Sequence, residues 1–192
     1  MSNLENICQF AIEGISDSQG VYVKEKLLES CKNIIRENMD SNGVRNSVIQ
    51  AALELTTEQE PKWQYVASKL YVYRLYDEIK SNRKIESEMN PYTDFFDFIC
   101  EMTEKNLYGK YILENYSEDE IKELEKEIKP ERDFLFTYSG IDLLAKRYLI
   151  QDYDRKPLEL PQQMFMGIAM HLAIPERKET KVMWAKRFYD VL

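Results

Sequence analysis

Three cysteines, one histidine and a dense group of carboxylates are the residues of this 192-residue chain whose types could do chemistry. Cys8, Cys31 and Cys100 are widely spaced, no Cys-x-x-Cys pair occurs, and His171 is the single histidine, so a zinc site is not indicated. Each cysteine lies in or beside an apolar helical stripe, where a free thiol behaves as a small hydrophobe, and core packing is the expectation for all three. His171 stands between Met170 and Leu172 with no acidic or cysteine partner at a suitable spacing. That context favours a hydrogen-bonded structural histidine over a base. Glu118, Asp119, Glu120, Glu123 and Glu127 invite comparison with a divalent-metal or glycosidase-like cluster. Their spacing spreads them around a helix instead of converging them, which fits a solvated, salt-bridged face. Tyr71, Tyr73 and Tyr76, from a total of thirteen tyrosines, raise a radical or stacking role, but helical spacing and a buried ring with a polar tip account for them. No catalytic group and no metal ligand is assigned.

The elements that would carry these residues are helical. Only 6 Gly and 6 Pro occur, and apolar positions recur at helical spacing through most of the chain. Leu27, Leu28, Cys31, Ile34 and Ile35 form one stripe and Val44, Val48, Ala52 and Leu55 the next, with Ser41-Asn42-Gly43 between them, which predicts two short antiparallel helices. A third helix runs from about Pro61 through Trp63, Val66, Leu70 and Tyr73 and fades in the polar stretch from Lys80 to Lys84. Asn90-Pro91 has the form of a cap and first-turn proline ahead of Phe95, Ile99 and Met102. Ser117 and Glu120 make a capping box that opens a helix bearing Ile121, Leu124 and Ile128. Pro130 starts a further helix, with Glu131 and Asp133 at its positive end, extended by Ile141, Leu144 and Tyr148. Segments 148–150 and 158–160, flanking polar residues 151–156, are the one place for a short β-hairpin. Pro161 opens a helix buried through Met164, Phe165, Ile168, Ala169 and Leu172 and ended by Pro175. The last helix carries Trp184, Phe188 and Val191 on one side.

Hydrophobic content of 44% suffices for a core in one domain or two small ones. A net charge of −8 argues against a general nucleic-acid binder. No signal-peptide pattern occurs and no apolar run approaches the roughly 20 residues that span a bilayer. A cytoplasmic location, without membrane or direct nucleic-acid contact, is the expectation.

Three stretches carry more information than any single residue: Lys129-Pro130-Glu131-Arg132-Asp133 with the following Phe134 to Tyr138, Leu158 to Met166, and Lys186-Arg187-Phe188-Tyr189-Asp190-Val191. In order and spacing they resemble the N-terminal region of the large subunit of class I ribonucleotide reductases. Glu60 to Leu70 is the best match to the helices of that family's ATP-cone. The resemblance implies a mainly α helical bundle: an ATP-cone-like segment lacking its β-hairpin at 1–80, a linker at 81–91, and the helical N-terminal domain at 92–192. In the family, the cone binds ATP or dATP and sets overall activity, and a catalytic barrel follows the helical region.

The same resemblance implies that this chain does not reduce nucleotides by itself. The thiyl-forming cysteine, its redox pair and the acid/base groups around the ribose belong to the barrel, and Cys8, Cys31 and Cys100 match none of them. The basic hairpin segment that grips the nucleotide phosphates is likewise not found before the first helix. Ser41 and Arg45 match positions where the family places a hydroxyl and a histidine near the nucleotide, and a guanidinium suits phosphate. The competing reading has Ser41 capping its helix and Arg45 exposed. No cofactor is expected in this chain beyond ATP or dATP at that remnant. The implied partners are the catalytic-barrel portion of the large subunit and, through it, a radical-generating small subunit, with Trp184, Phe188 and Val191 as the expected interface. A non-catalytic nucleotide-sensing or protein-interaction module is the alternative.

Overall fold

The computed structural model describes residues 2–14, 20–36, 38–86 and 90–192. Among them are ten α-helices and one 3-10 helix, with a single isolated β-bridge and no strand. By packing, the chain forms two compact units, one of residues 1–74 and 134–143, the other of residues 75–133 and 144–192.

The first unit packs α1 (Ser2–Ile12), α2 (Gly20–Lys32), α3 (Ser41–Glu54) and the first half of α4 (Trp63–Arg83). Its interior holds Cys8 and Ala11 from α1, Leu27 and Cys31 from α2, Val48 and Ala52 from α3, and Trp63, Val66 and Leu70 from α4. Burying a large apolar side chain stabilises by about 1.5–3 kcal/mol, so these stripes dominate the assembly. The α2 stripe stops short of the expected Ile34 and Ile35. The helix ends at Lys32, and both isoleucines fold back to donate backbone bonds of 3.0 Å to Cys31 O. Lys69 Nζ donates to the carbonyls of Phe10 (2.6 Å) and Glu13 (3.0 Å), placing a cation at the negative end of α1.

The second unit is built from α5 (Phe95–Glu104), α6 (Tyr111–Asn115), α7 (Glu118–Glu125), α9 (Pro161–Ala173) and α10 (Lys181–Val191), with the second half of α4 and the end of α8 (Tyr138–Arg147). Phe95, Phe98, Ile99, Met102, Ile112, Ile121, Leu124, Met166, Ala169, Met170, Ala173, Ala185 and Tyr189 form one continuous core.

Several starts and faces differ from expectation. Asn90 does not cap α5. Its side chain accepts from Tyr92 N at 3.0 Å within a local turn, and the helix begins at Phe95. Asp94, at the capping position, adopts φ 60° and makes no cap bond, so Glu125 of α7 accepts instead from the backbone N–H groups of Asp94 (3.2 Å) and Phe95 (3.0 Å). The Ser117–Glu120 capping box is present as expected.

Pro130 opens a 3-10 turn, Pro130–Leu135, and not an α-helix, because Asp133 turns inward. Thr137 then starts α8 afresh, its hydroxyl accepting from Gly140 N at 3.1 Å. Tyr148 falls beyond that helix and is 64% exposed. The buried face of α9 is rotated relative to the expected stripe. Gln162, Gln163, Met166, Ala169, Met170 and Ala173 are inside, while Ile168 and Leu172 are exposed. Two polar residues are drawn into the interior by hydrogen bonds, Gln162 donating to Asp133 at 2.9 Å and Gln163 accepting from Leu160 N at 3.1 Å.

The expected hairpin is reduced to one antiparallel bridge between Gln151 and Pro157, with Leu158 N donating to Ile150 O at 2.8 Å. Its ladder cannot grow because the Ile150 N–H is taken by the Glu159 carboxylate at 3.0 Å.

Candidate functional site

The three stretches that carry the family resemblance meet at one buried carboxylate. Asp133, at the end of the Pro130-Glu131-Arg132-Asp133 run, is 0% exposed. Its Oδ2 accepts from the hydroxyls of Tyr76 (2.5 Å) and Tyr92, and its Oδ1 accepts from Gln162 Nε2 at 2.9 Å. Gln162 belongs to the Leu160-Pro161-Gln162-Gln163 run, and Pro161 at the first helical turn sets the direction from which that side chain enters. Gln162 also donates its backbone N–H to Tyr92 Oη at 3.1 Å. Its side-chain Oε1 accepts from the hydroxyl of Tyr189, in the closing run, at 2.7 Å. Tyr189 in turn accepts from Lys129 N at 2.9 Å.

The neighbouring charges reinforce this connection. Arg132 donates to Tyr189 O (3.0 Å) and Asp190 (2.9 Å), and Lys129 donates to Asp190 at 2.7 Å, so the pair holds the last turn of α10. That placement suits cations at a helix C-terminus. Both cations also hold the Asp190 carboxyl below its usual range, the Lys129 hydrogen bond first.

Burial pushes the Asp133 carboxyl up to about 6, against the hydrogen bonds from Tyr76, Tyr92 and Gln162 that favour its ionised form. Burial likewise raises the Tyr92 hydroxyl, with the Asp133 charge next in importance. A fully sealed acid whose oxygens are already engaged by three protein donors has no oxygen to offer a substrate. The arrangement is suited to holding α9, α10 and the 3-10 turn in fixed register, not to moving a proton.

The other residues singled out by sequence are dispersed. Ser41 is exposed at the first position of α3 and does not cap it. Asp40 occupies the cap and accepts from Gly43 N at 2.8 Å, since its carboxylate reaches that donor from one residue earlier. Arg45 is half-buried on the same helix. On α10, Trp184 and Phe188 are half-buried, their rings stacked at 5.8 Å and packed against the core of the second unit, while Val191 is 87% exposed.

His171 is exposed and meets the ring of Tyr111 edge-on at 4.9 Å. The expectation was a hydrogen-bonded structural histidine; the contact found is this ring pair at the surface. The outer carboxylates are ion-paired as a solvated face: Lys122 with Glu118 at 2.5 Å, and Lys186 with Glu123 (2.8 Å) and Glu127 (2.9 Å). Among the described residues no group of three or more His, Cys, Asp and Glu side chains could hold a metal ion. Cys8 and Cys31 are fully buried and hydrogen-bond to each other, which with burial raises the Cys8 thiol, whereas Cys100 is half-buried. No helix among the described residues is long and apolar enough to cross a membrane.

Sequence reasoning placed Asp133 as a dipole-compensating acid and overlooked Gln162, Tyr189 and Glu159 as buried polar groups. The available signal was positional. Asp133, Gln162 and Tyr189 each sit inside one of the three stretches that carry the family resemblance.

The chain matches known sequences over most of its length. Residues 134–192 match the family model described as the all-alpha domain of ribonucleotide reductase. The ribonucleoside-diphosphate reductase subunit alpha of Treponema pallidum is 38% identical over 82% of this chain and 18% of its own length. That of Helicobacter pylori is 33% identical over 94% of this chain and 21% of its own, and the ribonucleoside-diphosphate reductase 1 subunit alpha of Escherichia coli is 27% identical over 81% and 20%. The chain belongs with the N-terminal region of the ribonucleotide reductase large subunit. It spans about a fifth of the length of the relatives it matches.

Proposed function

We propose that this chain is the N-terminal helical part of a ribonucleoside-diphosphate reductase large subunit and contributes to deoxyribonucleotide synthesis only when joined to, or assembled with, a catalytic barrel. The observation that carries the reading is the use to which its recognisable residues are put. Asp133, Gln162 and Tyr189 bind one another in the interior, so the family's sequence signal here encodes an architecture and not a reaction centre. Its partners on this reading are the barrel portion of the large subunit and, through it, the radical-generating small subunit, in the cytoplasm. Trp184, Phe188 and Val191 form the contact surface toward the barrel. Ser41 and Arg45 are the residues through which ATP or dATP would be held.

The test is reconstitution. The chain is mixed with a polypeptide carrying the remaining large-subunit sequence and with the small subunit, and association and deoxynucleotide formation are measured. Co-elution and activity in the mixture, with none from this chain alone, are expected. Neither association nor activity at equimolar mixing would overturn the proposal. Calorimetric titration with dATP and ATP separately tests the nucleotide site, and absence of heat together with an unchanged melting temperature would remove Ser41 and Arg45 from consideration.

A further inference from the structure

A second buried carboxylate, outside the Asp133 connection, stands at the wall of a cavity. Glu159 is 2% exposed, and among the described residues its one protein hydrogen bond is the donation from Ile150 N to Oε2 at 3.0 Å. It lines a cavity of about 320 Å³ in the second unit together with Tyr108, Tyr111, Gly167, Ile168 and His171. No lysine or arginine lines that cavity, and His171 is its one basic side chain.

The walls are built around two glycines. A Cβ at Gly167 would lie 1.9 Å from the Tyr108 hydroxyl, and one at Gly109 would lie 2.0 Å from the Tyr111 ring. Both tyrosines rest directly on backbone that only glycine leaves open. The remaining surface is apolar, and the edge-on pair of Tyr111 and His171 stands at the exposed rim.

We propose that this cavity binds an alkylammonium group, with Glu159 as its counter-charge and the rings of Tyr108 and Tyr111 as its aromatic walls. The chemistry follows from what is present and what is missing. A single carboxylate with one oxygen already engaged cannot accept a guanidinium in a two-bond fork, and it is too few ligands for a metal ion. A compact ammonium needs only the other oxygen, and its remaining faces are stabilised by aromatic rings. The apolar lining takes the alkyl stem, and the volume lies at the lower end of the range for small-ligand sites. An anion would find no lysine or arginine there and would meet the Glu159 carboxylate. Burial pushes the Glu159 carboxyl up to about 8, so binding displaces a proton; the other titratable groups facing it from the neighbouring elements are Tyr108, Tyr111 and His171.

Because the chain has one histidine, the ring protons of His171 give an unambiguous NMR reporter at the rim. The whole chain is titrated with n-butylammonium, n-butanol and butyrate on the alkaline side of the Glu159 transition. A saturable shift of the His171 signals by n-butylammonium, at least about tenfold tighter than by n-butanol and absent with butyrate, is expected. In Glu159→Gln, which keeps an acceptor for Ile150 N, that preference should vanish. Equal responses to the cation and the alcohol in the unaltered chain would overturn the proposal, as would a preference that survives Glu159→Gln. N-acetyl-lysine methylamide distinguishes the sources. Binding at least as tight as n-butylammonium supports a lysine side chain as occupant, and its exclusion while n-butylammonium binds supports a free amine.

Discussion

The hydroxyl of Tyr189 donates to Gln162 Oε1 at 2.7 Å and accepts from Lys129 N at 2.9 Å, so one phenol on α10 closes a connection between α9 and the segment leading into the 3-10 turn. Tyr189→Phe keeps the ring, which is 1% exposed, and removes only that oxygen. The Gln162 carbonyl oxygen and the Lys129 N–H are then left unpaired, at a cost of about 2–4 kcal/mol. Urea denaturation of the variant checks this, and a loss under about 0.5 kcal/mol would mean that water or a rearranged Gln162 satisfies both groups.

How far the sequence discloses this arrangement depends on the kind of interaction. Helix α7 was legible to the residue because its start is chemically local: Ser117 and Glu120 satisfy each other's backbone donors. The start of α5 was not, because its donors are satisfied by Glu125, thirty residues away, and no spacing rule reaches that far. On α9 the apolar periodicity placed Ala169 and Phe165 correctly against the core but not Ile168 and Leu172. Gln162 and Gln163 are buried by their hydrogen bonds, and the turn of the helix that brings them inside exposes Ile168 and Leu172. The family resemblance located Asp133, Gln162 and Tyr189 without saying that they touch. Glu159 lay within a recognised stretch too, yet a carboxylate flanked by two leucines reads as a strand alternation until its partner, the Ile150 N–H, is seen.

The cap of α3 is a second local test. Asp40→Ala should cost about 1 kcal/mol, since it removes the acceptor for Gly43 N, whereas Ser41→Ala should stay within about 0.5 kcal/mol. Thermal denaturation of the two variants separates the readings, and the reverse order would restore Ser41 as the cap.

The cysteines should differ sharply in reactivity. Cys8 and Cys31 are 0% exposed, while Cys100 is half-buried with its thiol raised by burial and by the charges of Asp97, Glu104 and Glu118. An aromatic disulfide reagent should modify one thiol in the folded chain and three in denaturant. Added salt should accelerate the first reaction by screening those acids. Rapid modification of all three thiols without denaturant would contradict the packing of α1 on α2.

Substitution on α10 has to separate docking from folding. Trp184→Ser combined with Phe188→Ser should weaken association with the barrel portion, but both rings pack on the core of the second unit, so stability falls as well. Val191→Asp changes a side chain that is 87% exposed and should leave the denaturation midpoint within error. If the proposed contact surface is right, sedimentation of the mixture will show weaker assembly with Val191→Asp at unchanged stability. Unaltered assembly would move the contact elsewhere.

The pH dependence of stability should carry the signature of Glu159. In the folded chain burial holds its carboxyl at about 8, while the unfolded chain releases the proton near the ordinary 4.5. Between those values the native state retains a proton that the unfolded state has lost, so stability declines as pH rises from about 4.5 to about 8 and is flat beyond. The accumulated loss is on the order of 5 kcal/mol. Asp133, raised to about 6, adds a decline of the same sign over a narrower range above its ordinary 3.8. Glu159→Gln is uncharged at every pH and still accepts from Ile150 N, so it should remove the Glu159 share of the decline. Urea denaturation at about pH 5, about pH 7 and about pH 9 should therefore find the variant close to the unaltered chain at the first and more stable at the last, with the gap widening between. Parallel profiles would mean that Glu159 is hydrated and ionised in the folded chain, and that the cavity beside it is open to water.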